Sequence, residues 1–495
     1  MDILIGKGDN PVYLKTEMMN RHGLIAGATG TGKTTTLKVI AERASELGIP
    51  VFLPDVKGDL FSLASPGVMN ENIKSRVEKI GLDYHTNAYD IEVWDVFGEL
   101  GHPLRTTISE MGPLLLANLL DLNDTQEGVL NIAFKVADDE GLLLLDLKDL
   151  RSMLSYISDN RKDYTTKYGN ISTASIGAIQ RALLLLENDG ADYFFGEPAF
   201  DINDLFRKED GQGIINILNA KVLHQKPRLY TAFMVWLLSE LYENLPEVGD
   251  QEYPKILFFF DEAHILFQYG SKILIEKLTQ VIRLIRSKGV GVFFVTQRPD
   301  DIPEEILSQL GNKIQHALRA FTPKDRKMIK QTAENFRENP KFDTAEALTN
   351  LESGVALCSV LDGEGMPTVT ERALIAPPQS AFDAMPDDEV RALIPGEMDK
   401  KYRNMIDRES AFEILDEKLA KKQAEEERIK QEEAIRKEQI KKDQNESRAL
   451  RQQKRNKSEL EKQLGRMTNS ALNSMSRSLG TKIMRGILGS IFGGK

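Results

Sequence analysis

Several short stretches hold residues whose types and spacing suit phosphate chemistry. The first is Gly27-Ala28-Thr29-Gly30-Thr31-Gly32-Lys33-Thr34-Thr35, which contains the pattern G-x-x-x-x-G-K-[ST]. Glycines there let the backbone fold tightly, so that its N–H groups face phosphate oxygens. A helix beginning at Lys33 points its positive end at the same charge. The Lys33 ammonium is placed to reach the β- and γ-phosphates, and the Thr34 hydroxyl to coordinate Mg²⁺. A glycine-rich turn that binds nothing is the competing reading, and the apolar strand and amphipathic helix on either side argue against it.

The second stretch, Lys255 to His264, is an apolar run ending in Asp261 and Glu262. Alternation along a strand makes the two acids diverge at its C-terminal edge, where ligands sit in open α/β sheets. Asp261 is placed to hold the Mg²⁺ shell through water, and Glu262 to orient and polarise an attacking water. An acid after a buried strand can also simply start a loop; the phosphate loop upstream favours chemistry. Asp55 ends an earlier strand in Pro54-Asp55-Val56-Lys57-Gly58-Asp59. It can reach the Mg²⁺ shell or the water, or it can cap a turn. Gln297, in Thr296-Gln297-Arg298-Pro299, is a polar strand-end residue able to sense a γ-phosphate. Arg283, Arg286, Arg298, Arg319 and Arg326 are candidates for the arginine that completes such sites, often from a neighbouring subunit.

These residues need a scaffold that brings strand ends together. Ile3–Ile5 and Val12–Leu14 flank a turn and read as a β-hairpin. His22–Ala26 is a short strand, the helix from Lys33 runs to about Leu47, and Val51–Leu53 is the next strand, which makes a βαβ unit. Residues 108–186 carry helical periodicity and read as an insertion of several helices. Sheet signals resume at Gly213–Ile217, Ile256–Phe260, Val290–Val295, Lys313–Ala320 and Val355–Val360. Helices are expected at Leu229–Tyr242, Ser271–Arg286 and Pro323–Gln331. Unbroken apolar strands alternating with helices predict an α/β fold with a mainly parallel sheet covered on both faces. The expected organisation is a hairpin (1–20), an ATPase core (21–107 and 200–395), a helical insertion (108–199), a charged helix or linker (396–465) and a basic amphipathic tail (466–495).

The bulk numbers fit. A chain of 495 residues with 41% hydrophobic residues suits two or three domains with a sizeable core. Its single cysteine, Cys358, excludes an internal disulfide and fits a reducing cytosol. Six scattered histidines give no zinc-ligand pair at helical spacing. The start, MDILIGKGDN, lacks the basic-then-apolar pattern of a signal peptide. No run reaches the roughly 18–20 apolar residues of a spanning helix. The expectation is a cytoplasmic protein, able to sit peripherally at the inner membrane face.

Together, Gly27–Thr34, Pro54–Asp59, Phe258–His264 and Thr296–Pro299 resemble the HerA/FtsK branch of RecA-like P-loop motors. Gly101–Ile108 and Asp121–Gly128 look like the bacterial HerA-like ATPases in particular. The resemblance covers about residues 1–395 and continues weakly beyond. It implies ATP and Mg²⁺ as cofactors and a homo-hexameric ring with ATP between subunits. It implies Lys33, Thr34, Asp261, Glu262 and Gln297 as active-site residues, and Arg319 as the finger supplied in trans. DNA-processing HerA proteins place a β-barrel ahead of the phosphate loop; here Gly27 leaves room for a hairpin, which weighs against the nuclease partner that the barrel docks.

Charge and tail leave the substrate open. From Lys441 to Lys495 there are thirteen Lys/Arg against four Asp/Glu, so the net charge of −11 splits into a basic end of +9 and a body of −20. Such a body is not uniformly built to coat nucleic acid, although a local basic channel, with Lys221, Lys226 and Arg228 as contributors, is compatible with it. The Glu/Lys pairs at i,i+4 between 417 and 442 predict a long solvated helix without sustained heptads. Leu472, Met475, Leu479, Ile483, Ile487 and Ile491 form one helical face, with Arg477, Lys482 and Arg485 on others. That tail suits packing on its own ring, anionic lipid or a protein partner. The readings are therefore a ring ATPase translocating double-stranded DNA, a motor or switch acting on a protein or at the membrane through the tail, and a nucleotide-regulated scaffold, against which Asp261 and Glu262 argue.

Overall fold

The computed structural model describes residues 2–475, with side chains to 468. One compact unit runs through Leu415, and a second begins at Asp416. The first opens with β1 (Ile3–Lys7), β2 (Pro11–Leu14) and β3 (Gly23–Ala26), followed by α1 (Lys33–Glu46) and β4 (Val51–Asp55). Next come α2 (Glu71–Ile80), β5 (Ile91–Asp95) and β6 (His102–Pro103). Five helices then succeed one another: α3 (Ile108–Leu119), α4 (Asp124–Glu140), α5 (Leu147–Asp159), α6 (Arg161–Tyr168) and α7 (Thr173–Asn188). Their starts are written in the sequence. Thr107/Glu110, Asn123/Gln126 and Asp146/Asp149 form reciprocal capping boxes at α3, α4 and α5, satisfying the orphan N–H groups of each first turn.

A small hairpin of β7 (Lys208–Glu209) and β8 (Gln212–Gly213) leads into β9 (Ile215–Asn219) and α8 (Pro227–Asn244). The chain continues through β10 (Ile256–Phe260), α9 (His264–Tyr269), α10 (Lys272–Ile285), β11 (Val290–Thr296), α11 (Glu304–Leu307) and β12 (Asn312–His316). It ends with α12 (Pro323–Glu334), α13 (Thr344–Asn350), β13 (Val355–Ser359), β14 (Glu371–Ile375), α14 (Asp387–Leu393), α15 (Glu397–Tyr402) and α16 (Ala411–Met475).

Twelve of these strands form one sheet in the order β2-β1-β14-β13-β12-β3-β11-β10-β4-β9-β5-β6. From β12 to β6 every neighbouring pair is parallel. The flank from β12 to β2 is antiparallel. The phosphate-loop strand β3 thus lies between β11 and β12, with β10 one strand further out. This is the α/β fold with a mainly parallel sheet that the sequence leads one to expect. Every residue of β10 and β11 is buried, which explains their unbroken apolar sequences. One core lies between α8, α10 and the insertion helices on one face, and a second lies under α1 on the other. Gly23 has a steric role, because a Cβ there would run into the Phe293 ring of the neighbouring strand.

Three details differ from the sequence expectations. The N-terminal hairpin is the edge of the main sheet, since β1 pairs with β14. The strand expected over Lys313–Ala320 stops at His316, because the chain turns away to other partners. The Ala317 carbonyl accepts from Ala28 N, and Leu318 N donates to the Leu348 carbonyl. The long charged helix starts at Ala411; before it, α15 buries Met398 and Tyr402.

The second unit is helical to Met475, and its side chains from 416 to 468 are exposed. Glu417–Lys421, Glu433–Lys437 and Glu438–Lys442 pair at 2.6, 3.6 and 3.4 Å, as the i,i+4 spacing requires. Leu419, Ile429, Ile435 and Ile440 are exposed, in keeping with the poor heptads. The amphipathic face from Leu472 to Ile491 lies outside the described side chains.

Buried His22 gives the fold a titratable joint. Its Nδ1 accepts from Val292 N at 3.0 Å, so its other ring nitrogen, Nε2, donates to the Ile282 carbonyl at 2.8 Å. Burial lowers its pKa from 6.5 to about 4. The folded state therefore binds fewer protons than the unfolded state between those values. The associated stability is present above pH 6.5 and lost as pH falls through 4, on the order of 3 kcal/mol in all. Thermal-melt midpoints measured across this window should fall less steeply for His22→Gln, which cannot titrate. Equal slopes would refute this account.

Candidate active site

The phosphate loop is held from two sides. Gly27 N donates to the Thr296 carbonyl of β11 at 3.2 Å, and Ala28 N to the Ala317 carbonyl at 2.8 Å. Thr31 Oγ closes the loop on the Ala28 carbonyl at 2.6 Å, and Thr36 Oγ meets His316 Nε2 at 2.8 Å. Gly30 and Gly32 take φ of +76° and +114°, the left-handed region that disfavours any side chain. The loop needs that backbone to turn directly into α1. Lys33 folds over it, donating to the Gly27 and Ala28 carbonyls at 2.6 and 3.2 Å. Desolvation lowers the Lys33 pKa, and the charges of Glu262 and Asp261 oppose that shift.

A cavity of about 260 Å³ opens here, lined by Thr29, Gly30, Lys33, Thr34, Lys57 and Asp261, among others. Thr35 also lines it. Asp261 and Glu262 follow the last residue of β10, so their separation comes from a turn and not from strand alternation. Glu262 has φ +47°, a left-handed conformation uncommon for a side-chain-bearing residue. Strain of this kind costs on the order of 1–3 kcal/mol and concentrates at functional sites. Asp261 Oδ1 accepts from Glu262 N at 2.9 Å, and the Asp261 carbonyl accepts from Tyr230 OH at 2.9 Å. Burial, then the Glu262 carboxylate beside it, raise the Asp261 pKa to about 7. A divalent cation at this carboxylate would relieve that repulsion.

Glu262 is itself buried and sits at the centre of a polar cluster. Gln297 Nε2 donates to its Oε2 at 3.4 Å, and His264 Nδ1 lies 3.4 Å from the same oxygen. Lys57 Nζ lies 3.6 Å from its Oε1. Loop, acids and Gln297 therefore converge from β3, β10 and β11. Asp55 does something different. Its Oδ1 accepts from Lys57 N at 3.2 Å and Gly58 N at 2.5 Å, and its Oδ2 from Leu60 N at 2.9 Å. Of the two readings open for Asp55, this is the geometry of the turn cap, and it presents Lys57 to the cavity. Burial raises its pKa to about 6.

Lys57 is the residue that sequence reasoning passed over. It lies in the stretch singled out for Asp55, but its partner Glu262 is distant in sequence, and only sheet order joins them. Arg319 does not line the cavity; it is exposed, two residues beyond the Ala317 contact with the loop. Among the described residues it has no carboxylate within ion-pair distance. Arg286 pairs with Asp250, and Arg298 with Asp300 and Asp325. Lys221 pairs with Asp387, Lys226 reaches the Asp189 carbonyl, and Arg228 pairs with Asp121.

The site fits a nucleoside triphosphate with Mg²⁺. Among the described residues no cluster of three His, Cys, Asp or Glu forms a metal cage. Mg²⁺ commonly takes one or two protein ligands plus substrate phosphates, and Thr34 with Asp261 would serve.

A family model described as "Helicase HerA-like C-terminal" matches residues 2–495. The chain is 23% identical to the DNA double-strand break repair helicase HerA of Sulfolobus acidocaldarius, over 72% of this chain and 66% of that protein. It is 26% identical to the protein of the same name from Saccharolobus solfataricus, over 72% and 64%. The chain thus spans slightly less than two thirds of these curated relatives. Among solved structures, VirB4 of Thermoanaerobacter pseudethanolicus aligns with a TM-score of 0.48 at 18% identity, over 75% of this chain and 96% of that one. The bacterial conjugative coupling protein TrwB aligns with a TM-score of 0.48 at 14% identity, over 75% and 90%.

Proposed function

The chain belongs to the helicase HerA-like C-terminal family, and from that premise we propose that it hydrolyses Mg-ATP to move along double-stranded DNA as a ring of identical subunits. The observation that carries the ATPase reading is the convergence of the phosphate loop, Asp261, Glu262 and Gln297 at one sheet edge. The loop N–H groups and Lys33 bind the triphosphate. Glu262, held by Gln297 and Lys57, positions the attacking water and takes its proton as the water attacks the γ-phosphorus and the bond to ADP breaks. Thr34, and Asp261 through water, would hold Mg²⁺, which when bound would supply neutralisation of phosphate charge. Arg319 reaches a neighbour's phosphates from the subunit edge. Support for DNA as the track comes from the relatives, which are named as DNA repair helicases. A hexamer is the ring size proposed.

The test is the steady-state ATPase rate of the purified chain alone, with double-stranded DNA, with single-stranded DNA and with anionic liposomes. Double-stranded DNA is expected to raise the rate several-fold, and Lys33→Ala to abolish it. A rate indifferent to DNA but raised by liposomes, and lost when the chain stops near Arg466, would replace the DNA track with a membrane one.

Among the described residues no helix is long and apolar enough to cross a membrane.

A further inference from the structure

Charge changes sharply along α16. Residues 416–446 hold nine Lys/Arg against ten Asp/Glu, whereas residues 447–468 hold seven against two. Pairing changes with it. In the first stretch Lys421, Arg428, Lys437 and Lys442 each lie 2.6–3.7 Å from a glutamate three or four positions away. In the second, all seven cations are exposed, and none has a carboxylate within ion-pair distance among the described residues. Their charge is left for an external polyanion.

Five of the seven share a face. Arg448, Arg451, Arg455, Lys462 and Arg466 are spaced 3, 4, 7 and 4, the repeat that keeps side chains on one side of a helix. At 1.5 Å per residue the row is about 27 Å long. Lys454 and Lys457 lie off it, and Glu459 borders it. A solvated helix needs charge, but neither of one sign nor on one face; the first half of α16 meets the same need with both signs interleaved.

The opposite side of the helix decides between partners. Leu460, Leu464 and Met467 are exposed and form its apolar side, about 150° round the axis from the basic row. A helix lying on lipid buries its apolar face and keeps its cations at the margins of that face, where they reach headgroups. Laid on a membrane, this helix would hold the row in water. Residues 416–468 contain no Phe, Tyr or Trp, so they offer no stacking platform for the bases of a single strand. A straight row of charge matches a straight row of charge, and duplex DNA carries about one phosphate per 1.7 Å of its axis.

We propose that residues 447–468 of α16 form a duplex-DNA arm, whose basic row contacts backbone phosphates along one side of the duplex without reading sequence. The arm adds to the proposed motor a contact outside the unit that holds the phosphate loop. Its test is the fluorescence anisotropy of a labelled duplex of about 30 base pairs, read without nucleotide across a salt series. Three proteins are compared: the full chain, a row variant combining Arg448→Gln, Arg451→Gln, Arg455→Gln, Lys462→Gln and Arg466→Gln, and a control combining Lys421→Gln, Arg428→Gln, Lys437→Gln and Lys442→Gln. Glutamine keeps the helix propensity at these exposed positions, which circular dichroism checks. The row variant is expected to bind more than about tenfold more weakly near physiological salt, and its slope of log affinity against log salt to shrink by about 4. The control should stay within about twofold of the parent. Unchanged binding by the row variant, or an equal loss in the control, overturns the arm. The same proteins are sedimented with phosphatidylserine vesicles; a row variant that keeps duplex binding and loses the vesicles assigns the row to a membrane and overturns it too. ATP turnover read on the same preparations separates the two readings, since a parent that binds duplex through the row without turnover overturns the motor alone.

Discussion

Glu262→Gln is expected to lower steady-state ATP turnover by about 10³-fold and to leave ATP affinity nearly unchanged. The substitution preserves shape and removes the charge and the proton-accepting oxygen. Glu262 already pays the backbone cost of φ +47°, and glutamine bears the same cost, so the turn that presents residue 262 is kept. The acceptor facing Gln297 and the one facing Lys57 cannot both survive, because one oxygen becomes an NH₂ group. The loss therefore falls on water activation and on the hold over the side chain. Neither contributes to ground-state binding at the phosphate loop, where Lys33 and the glycine backbone act. Single-turnover phosphate release and equilibrium ATP binding on the same preparation separate the effects. Turnover within tenfold of the parent would remove Glu262 from the role of base.

How much of this was legible in the sequence follows from how local each signal is. The loop from Gly27 to Thr34 and the strand before Asp261 are local patterns, and both stand where periodicity and turn chemistry put them. The insertion helices were legible for the same reason, through apolar spacing at the helical period. The end of the stretch 313–320 misled because Ala317 and Leu318 are buried without pairing in the sheet. Ala317 and Leu318 are buried by hydrogen bonds to the phosphate loop and to Leu348. β5 and β14 went unread because their residues alternate with charges on short runs. Lys57 was out of reach for a different reason. Its meaning depends on Glu262, and the two meet only because β4 and β10 are neighbours in the sheet.

Arg319→Ala is expected to abolish turnover in homogeneous rings, by about 10³-fold or more, and to regain it in mixtures with an equally inactive partner. Arg319 is exposed, outside its own cavity and without an acidic partner among the described residues, and in the proposed ring it would be set against a neighbour. A ring built by a head-to-tail interface places one subunit's edge against the next subunit's phosphate loop. In a mixture of Arg319→Ala with Lys33→Ala, some interfaces join the intact loop of the first variant to the intact arginine of the second. Random assembly at equal amounts gives about a quarter of sites both groups. ATPase activity of the mixture should then exceed that of either variant by far, although every subunit carries a lesion. An arginine acting on its own subunit's nucleotide predicts the opposite. Each Lys33→Ala subunit would then have a defective loop, each Arg319→Ala subunit a defective finger, and no mixing ratio would restore turnover. The mixing curve thus tests the finger and the ring in one measurement, because restored activity requires a shared site between subunits.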